Sequence, residues 1–239
     1  EGLAVSTLRT ILEDMSAAAE KAGVRIMTGD TKIVPRGKAD KIFINTSGIG
    51  VMEHDLDISG RNARVGDKIL INGTIGDHGM AVMASREGLE LESDITSDSA
   101  PLSSLVANLI HGVGSQLHAL RDPTRGGVAT TLKEIAIQSE VEITLRENCL
   151  PVDSTVAAAC SILGLDPLFV ANEGKLLAFI APEAAEHALV IMRSHEFGKR
   201  AAIIGEVTST NKGKVRLQTT IGGLRAIEML AGEQLPRIC

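Results

Sequence analysis

The chain has 239 residues, enough to bury a sizeable core in one large domain or two modest ones. Hydrophobic residues make up 44% of it and charged residues 23%, a balance typical of globular proteins rather than disordered chains. The net charge of −6, the lack of a basic run and the absence of Trp and Tyr argue against nucleic acid and anionic membranes as partners. No apolar run approaches the roughly 20 residues of a membrane span. Three cysteines without a CxxC spacing indicate a reducing, cytoplasmic location.

Apolar periodicity predicts a first helix over residues 3–22 and two strands after it, over residues 24–27 and 41–46. Residues 48–66 are polar and charged and end in turn chemistry. We therefore predict a domain boundary near residue 60. It separates an N-terminal domain over 1–60 from a C-terminal domain over 61–231 and a tail over 232–239.

Beyond the predicted boundary, helices and strands are interleaved. The clearest helix starts at Pro101 and has an apolar face that runs through Leu117, whereas the acidic residues 87–99 before it are typical of a surface loop. The predicted strands are residues 68–75, 141–145, 175–181, 202–208 and 214–218, and the other predicted helices are residues 80–86, 128–139, 154–163 and 182–194. Several strands alternate polar and apolar residues, which is typical of sheets with one solvated face. An α+β fold is therefore favoured over a doubly wound parallel sheet.

Two glycine-rich loops each directly precede a predicted helix. The first glycine loop is Gly-Thr-Ile-Gly-Asp-His-Gly at residues 73–79, and the second glycine loop is Arg-Asp-Pro-Thr-Arg-Gly-Gly at residues 121–127. A helix N-terminus offers N–H groups and a partial positive charge to phosphate oxygens, and Arg121 and Arg125 can add charged contacts. Neither loop is a Walker A motif, because no Gly-Lys-Ser/Thr follows. The same pattern also fits ordinary strand-to-helix turns, and both interpretations stay open.

Two further loops carry charged residues suited to chemistry. In Gly-Asp-Thr-Lys at residues 29–32, the Asp30 carboxylate can hold Mg²⁺ and Lys32 can act as a point charge on a phosphate. In the Asn-Glu-Gly-Lys loop at residues 172–175, Glu173 follows an apolar stretch, and a carboxylate beside an apolar wall is suited to proton transfer near neutral pH. A surface turn with a weak ion pair, and a turn with an exposed glutamate, fit the same residues.

The three cysteines differ in their setting. Cys239 is the last residue of a tail that contains Pro236 and has lost periodicity, so we expect a thiol on a mobile arm that can reach its own active site or a partner's. Nearby Arg237 would favour its thiolate. An incidental exposed cysteine is the alternative. Cys149 and Cys160 are predicted to be buried packing residues.

Taken together, the motifs resemble the HypE family of hydrogenase maturation factors, relatives of the aminoimidazole ribonucleotide synthetases and selenophosphate synthetases. They occur in the order and spacing of that family and are Gly29-Asp-Thr-Lys-Ile-Val34, both glycine loops, the Asn-Glu-Gly-Lys loop and the terminal Pro236-Arg-Ile-Cys239. The terminal motif is the specific one and excludes the nucleotide and selenium relatives. Family members begin with a further glycine-rich segment and an Asn-Asp-Val-Ala motif, whereas this sequence begins at the following helix.

The resemblance implies a PurM-like fold of two α+β domains, with an incomplete N-terminal domain and a flexible C-terminal tail, in a homodimer that uses ATP and Mg²⁺. A HypF-type carbamoyltransferase would load a carbamoyl group onto Cys239, and ATP-dependent dehydration would leave a thiocyanate. The cyano group would pass to iron on a HypC–HypD-type scaffold during maturation of [NiFe] hydrogenase. By family match the catalytic residues are Cys239, Glu173 and Lys32. The nucleotide-binding residues are Asp30, which also binds the metal, and Thr31, Asp122, Thr124, Arg125, Gly126 and Gly127.

Two other functions fit parts of the sequence. A carrier or scaffold could use the tail thiol to transport a group without its own chemistry. A small-molecule synthetase or kinase of the same superfamily could share the internal motifs, with the tail incidental.

Overall fold

The computed structural model of the chain describes residues 1–87 and 95–229, which divide into two compact units. The first unit is Glu1–Asp55, and the second begins at Leu56. The α-helices are Val5–Ala22 (α1), Asp77–Glu87 (α2), Ser103–Val113 (α3), Gly127–Gln138 (α4), Ser154–Leu163 (α5) and Ala185–Ser194 (α6). The strands are Lys68–Ile71 (β1), Leu117–Arg121 (β2), Glu142–Arg146 (β3), Leu177–Ile180 (β4), Ala202–Ser209 (β5), Lys214–Gln218 (β6) and Leu224–Ala226 (β7).

Helix α1 is the regular element of the first unit, and it confirms the predicted first helix. It ends at Gly23, which adopts a left-handed conformation with φ of 68° that glycine enters without steric cost. In that conformation the Gly23 N–H donates to the Glu20 carbonyl and the Val24 N–H donates to the Ala19 carbonyl, both at 3.0 Å. These two bonds satisfy carbonyls that the end of the helix would otherwise leave open.

The two strands predicted in the first unit are wrong. Residues 24–27 and 41–46 form neither helix nor strand. Alternating apolar residues become a strand only where a second strand pairs with their N–H and C=O groups, and no such pairing is described in Glu1–Asp55. As a result Met27 and Phe43 are largely exposed, at 81% and 77%.

The second unit is built on a seven-stranded sheet in the order β2-β4-β1-β5-β3-β6-β7. All neighbouring strands are antiparallel except β3 and β6, which are parallel in the register Ile143 to Val215 and Leu145 to Leu217. A mixed, mostly antiparallel sheet with helices packed on it is an α+β arrangement, as predicted.

Helices cover the sheet unevenly. One face packs against α4 along most of its width, through a cluster that includes Phe179 of β4 and Leu132 of α4. The other face packs against α3 and α6 at β1, β2 and β4 and at the start of β5, where Leu70 lies in the second cluster and Ile203 packs against it. Over β3, β6 and the rest of β5 that second face carries polar side chains such as Thr144 and Arg216. The prediction that one face of the sheet is solvated is therefore confirmed for only part of that face.

Several element boundaries differ from the predicted ones. The long helix after Pro101 ends at Val113, and Leu117 opens strand β2 instead of continuing the helical face. Gly114, with φ of 54° and ψ of −126°, interrupts the helix between them. The predicted strand over residues 68–75 ends at Ile71, and β7 was not predicted because its three residues are all exposed and carry no alternation.

Helices α2 and α5 share a small apolar cluster that contains Cys160. Its side chain is 1% exposed, which confirms the predicted packing role, and burial raises the pKa of the Cys160 thiol to about 11. Cys149 lies in a 3-10 turn and is only half-buried, so the prediction that it is a buried packing residue was wrong. A short turn on the rim of the sheet cannot enclose a side chain as a helix face does.

The raised pKa of Cys160 predicts slow alkylation in the native protein. Because only the thiolate reacts, a pKa of about 11 leaves roughly one molecule in a thousand reactive at pH 8. The rate should rise about tenfold per pH unit up to that pKa. Time-resolved iodoacetamide labelling with peptide mass spectrometry should show Cys149 modified well before Cys160. Equal labelling of the two at pH 8 would contradict the assignment.

A buried pair links the start of β1 to strand β2. Nδ1 of His118 lies 2.9 Å from both carboxylate oxygens of Asp67, and the two side chains are 8% and 2% exposed. The carboxylate also accepts from the Arg64 N–H at 2.8 Å. The pair therefore joins the segment before the sheet to its edge strand, away from any loop singled out above.

We expect Asp67→Ala to lower the free energy of unfolding by about 3–5 kcal/mol, because it leaves a buried imidazole without its partner. Urea unfolding followed by circular dichroism measures this. Glu228→Ala is the matched control, since Glu228 pairs with Lys133 at 2.7 Å but its side chain is 74% exposed. The control should lose less than about 1 kcal/mol. Equal losses in the two variants would show that burial of the Asp67 pair contributes nothing.

Candidate functional site

The loops singled out in the sequence meet at the side chain of Asn172. This residue is fully buried, and its Oδ1 accepts from the Gly76 N–H in the first glycine loop at 2.8 Å. Its Nδ2 donates to the Pro123 carbonyl of the second glycine loop at 3.1 Å and to the Val170 carbonyl at 3.0 Å. One amide thus ties both glycine loops to the Asn-Glu-Gly-Lys loop, so the predicted motifs of the second unit form a single site.

The second glycine loop ends in a close contact that only glycine permits. Gly127 has φ of 64°, and a Cβ there would collide with the carbonyl oxygens of Leu168 and Val170. Helix α4 starts at this position, and its cap residue Gly126 supplies no side-chain hydrogen bond. The loop therefore presents its backbone at the start of a helix, as a phosphate-binding loop requires.

The polar side chains of the second glycine loop are partly in solvent. Asp122 and Arg125 are exposed, and Thr124 is half-buried. The Thr124 hydroxyl donates to the Asp122 carboxylate at 2.8 Å, and Arg121 pairs with Glu134 at 2.8 Å. Arg121 is thus engaged by a carboxylate of α4, whereas Arg125 is exposed.

Asp98 holds the Asn-Glu-Gly-Lys loop from outside it. Its Oδ1 accepts from the Glu173 N–H at 3.1 Å, and its Oδ2 accepts from Lys175 Nζ at 2.7 Å. The side chains of Asp98 and Lys175 are 4% and 8% exposed. A Cβ on Gly174 would overlap the Asp98 carbonyl oxygen, so the two segments are in direct contact.

Over residues 95–99 the predicted surface loop is confirmed, since these residues form neither helix nor strand and are exposed or half-buried, but the side chain of Asp98 is buried. The acidic composition suggested solvent exposure, and residues 88–94 lie outside the described part of the chain. The carboxylate is buried because Lys175 and a backbone N–H satisfy it. Sequence reasoning missed this residue because its partner lies 77 positions away.

Asn72 fixes the opposite side of the Asn-Glu-Gly-Lys loop. Its Nδ2 donates to the Gly174 carbonyl at 3.1 Å and to the Phe197 carbonyl at 2.8 Å, and its Oδ1 accepts from the Leu176 N–H at 2.8 Å. Its side chain is 1% exposed. Glu173, the predicted proton acceptor, is half-buried on a loop whose backbone is held from both sides.

Two residues of the first glycine loop face this region without having been predicted as site residues. Burial raises the pKa of Asp77, while a hydrogen bond from the Thr74 hydroxyl and the charge of Lys175 act in the opposite direction. His78 Nδ1 lies 2.8 Å from the Ser97 hydroxyl, and its Nε2 is buried without a hydrogen-bond partner. Perturbed or unsatisfied polar groups of this kind concentrate at functional sites.

The remaining predicted residues lie elsewhere. Asp30, Thr31 and Lys32 belong to the first unit, where they are exposed on a stretch without helix or strand. The carboxylate and hydroxyl oxygens of Asp30 and Thr31 are donors that suit Mg²⁺. Cys239 and the rest of the predicted tail lie outside the described residues. Over residues 1–87 and 95–229, no three His, Cys, Asp or Glu side chains are arranged to hold a metal ion.

Comparison with known proteins decides the family. Residues 64–218 match the C-terminal domain of AIR synthase related proteins, and residues 2–52 match the N-terminal domain. The whole chain is 53% identical to the carbamoyl dehydratase HypE of Bradyrhizobium diazoefficiens, of which it covers 69%. The chain belongs to the HypE family. The resemblance drawn from the motifs is therefore confirmed.

Solved HypE structures share the fold as well. A crystal structure of the hydrogenase maturation protein HypE in complex with ATP superposes with a TM-score of 0.95 at 49% identity, covering all of this chain and 72% of that one. HypE in a HypE–HypF complex superposes with a TM-score of 0.92 at 48% identity, covering 96% and 74%. The predicted PurM-like α+β fold is confirmed by these matches. Within the described residues, no helix combines the length and hydropathy needed to cross a bilayer.

Proposed function

We propose that the protein is an ATP-dependent carbamoyl dehydratase that converts an S-carbamoyl group on Cys239 into a thiocyanate. The observation that carries the proposal is the junction at Asn172, which joins both glycine loops to the loop of Glu173. The relative from Bradyrhizobium diazoefficiens is named a carbamoyl dehydratase, and a HypE relative has been solved with ATP. The thiocyanate would supply the cyanide ligands of the iron in [NiFe] hydrogenase.

The reaction proceeds in two chemical steps. The carbamoyl oxygen attacks the γ-phosphorus of ATP, so that an O–P bond forms and ADP leaves. The carbon–oxygen bond then breaks and releases phosphate, while the nitrogen gives up its two protons across the two steps to form the C≡N bond. Phosphorylation is needed because a free oxide or hydroxide is a poor leaving group, whereas phosphate is a good one.

Each predicted residue has a role in this scheme. Glu173 accepts a proton from the carbamoyl nitrogen, from a loop that Asn72 and Asp98 hold in place. The positive charge of Lys32 stabilises the negative charge of the transferring phosphoryl group. The backbone of Gly126 and Gly127, with the side chains of Asp122, Thr124 and Arg125, cradles the phosphates at the start of α4.

Mg²⁺ fits the donors of the first unit. Asp30 would hold the ion, which when bound neutralises the phosphate charge, and Thr31 would contact the nucleotide. Water must be kept from the reacting carbamoyl group, and a tail that folds in for chemistry and out for delivery accomplishes this. In this proposal residues 1–60 and 61–231 are the two domains, and residues 232–239 are the tail that delivers the group.

The proposed partners follow from the two ends of the reaction. A HypF-type carbamoyltransferase loads Cys239, supported by the solved complex between a HypE relative and HypF. A HypC–HypD-type iron scaffold accepts the cyano group, and two copies of the chain form a homodimer. The location proposed for all of these steps is the cytoplasm.

Intact-mass spectrometry tests the function directly. We expect incubation with a carbamoyltransferase and a carbamoyl donor to add one carbamoyl group, mapped to Cys239, and ATP to remove one water from the adduct. ATP consumption should depend on the carbamoylated tail, which separates this function from that of a passive carrier. An adduct that ATP leaves unchanged would contradict dehydration, and ATP turnover without the tail would favour a small-molecule kinase.

A further inference from the structure

The side chain of Asp98 is buried, and the stability of the fold does not by itself explain why a carboxylate lies there. Burying a carboxylate and an ammonium removes both from water, and apolar residues of similar volume often stabilise a fold as well or better. Here the pair lies against the loop of the proposed proton acceptor, with side chains 4% and 8% exposed. The ion pair therefore has a use beyond the free energy of folding.

The two carboxylate oxygens of Asp98 act on different groups. Oδ2 accepts from Lys175 Nζ and neutralises it, which removes Lys175 from the set of cations that could bind phosphate. Oδ1 accepts from the backbone N–H of Glu173 at 3.1 Å and so restrains the residue from which the acceptor carboxylate projects. Only the contact with the Glu173 N–H involves a residue to which the proposed reaction assigns a role.

The segment around Asp98 contacts the site at two further points. The carbonyl of Asp98 lies where a Cβ of residue 174 would stand, so Gly174 allows the segment to approach the loop. The neighbouring Ser97 hydroxyl lies 2.8 Å from Nδ1 of His78. The segment therefore contacts both the first glycine loop and the Asn-Glu-Gly-Lys loop.

We propose that Asp98 is a positioning residue for Glu173, which it orients through the backbone N–H while Lys175 balances its charge. The inference rests on the proposed function and adds a residue that the motifs do not contain. A positioning role predicts a loss in kcat rather than in the KM for ATP, because a displaced acceptor weakens the chemical step and leaves nucleotide contacts in place.

Three variants of the full chain test the proposal by single-turnover kinetics of the preloaded, carbamoylated protein, where kcat is the rate constant at saturating ATP and KM is the ATP concentration that gives half of it. Asp98→Ala removes both contacts and should lower kcat about 100-fold with KM for ATP changed less than about threefold. Asp98→Asn loses the ion pair but keeps an oxygen for the Glu173 N–H, so it should stay within about tenfold of the parent. Glu228→Ala is the control, since it removes a carboxylate from an exposed ion pair with Lys133 and should cost little stability, and its kcat should be unchanged.

A purely structural role gives a different pattern. Asp98→Ala and Asp98→Asn would then lose activity equally, because both break the ion pair, and that result would overturn the proposal. Amide hydrogen exchange provides a readout that does not need turnover. Exchange across residues 172–175 should accelerate at least tenfold in Asp98→Ala but not in Glu228→Ala. Unchanged exchange in Asp98→Ala would contradict the inference, whether or not the parent protein makes thiocyanate. A parent protein that makes no thiocyanate, together with accelerated exchange in Asp98→Ala, would contradict only the proposed function.

Discussion

Replacing Cys239 by alanine should abolish thiocyanate formation completely. In the proposed reaction the thiol sulfur carries the carbamoyl group through both steps, so its removal leaves no atom on which the product can form. We do not expect the other described thiols to substitute. Cys160 is buried with a pKa raised to about 11, and Cys149 lies in a 3-10 turn within the folded second unit and not on the tail. Thiocyanate is measured by mass spectrometry of the tail peptide after incubation with carbamoyltransferase, donor and ATP.

Cys149→Ala is the matched control for that experiment, because it removes a half-buried thiol from the same unit. It should make thiocyanate at the parental rate. A Cys239→Ala protein that still accumulates a thiocyanate on any residue would end the assignment of the tail thiol as carrier. Loss of product in both variants would point to a requirement for Cys149 that the structure does not predict.

The second large effect is expected for Glu173→Gln. An amide of the same shape cannot accept a proton, so kcat should fall about 10²- to 10⁴-fold while carbamoyl loading of Cys239 continues. The glutamine keeps the backbone bond to Asp98, so the loop geometry should survive. Single-turnover measurement of thiocyanate from the preloaded protein separates this chemical step from nucleotide binding and from transfer by the partner.

Glu186→Gln provides the matched control, since Glu186 is an exposed glutamate on α6 of the same unit. Its single-turnover rate should equal that of the parent. If the rate of Glu173→Gln lies within about twofold of the parent rate, a group other than Glu173 accepts the proton. Asp77 would then be the next carboxylate to replace, because burial already raises its pKa.

Elements with strong local signals were predictable from the sequence. Helix α5 has the predicted bounds Ser154–Leu163, where Asp153 caps the start by accepting from the Thr155 N–H and Gly164 ends the helix with φ of 67°. Strand β6 likewise has its predicted bounds, Lys214–Gln218. The residues that decide α5 lie within a few positions of it, and β6 was predictable from its own alternation of polar and apolar residues, although its partner β3 is distant in the chain.

Elements that depend on distant partners were not predictable in the same way. Residues 24–27 and 41–46 have strand composition without a paired neighbour in the described unit, and β2 at Leu117 was read as helix. Strand β2 exists because it pairs with β4, where Ala119 lies opposite Phe179. A hydrogen-bonded ladder between segments some 60 positions apart leaves no local signature in either segment.

The family belongs to what the sequence by itself determined, and so does the proposal that Cys239 is the carrier thiol, because the terminal Pro-Arg-Ile-Cys and the order of the internal motifs are properties of the chain alone. The sequence also identified Glu173 and the glycine loops as candidates. Only the tertiary structure decided that these loops share one junction at Asn172 and that Asp98 is buried against Lys175. Composition predicts the average environment of an acidic residue, whereas burial of a carboxylate requires a cation and a backbone donor that only folding brings to it.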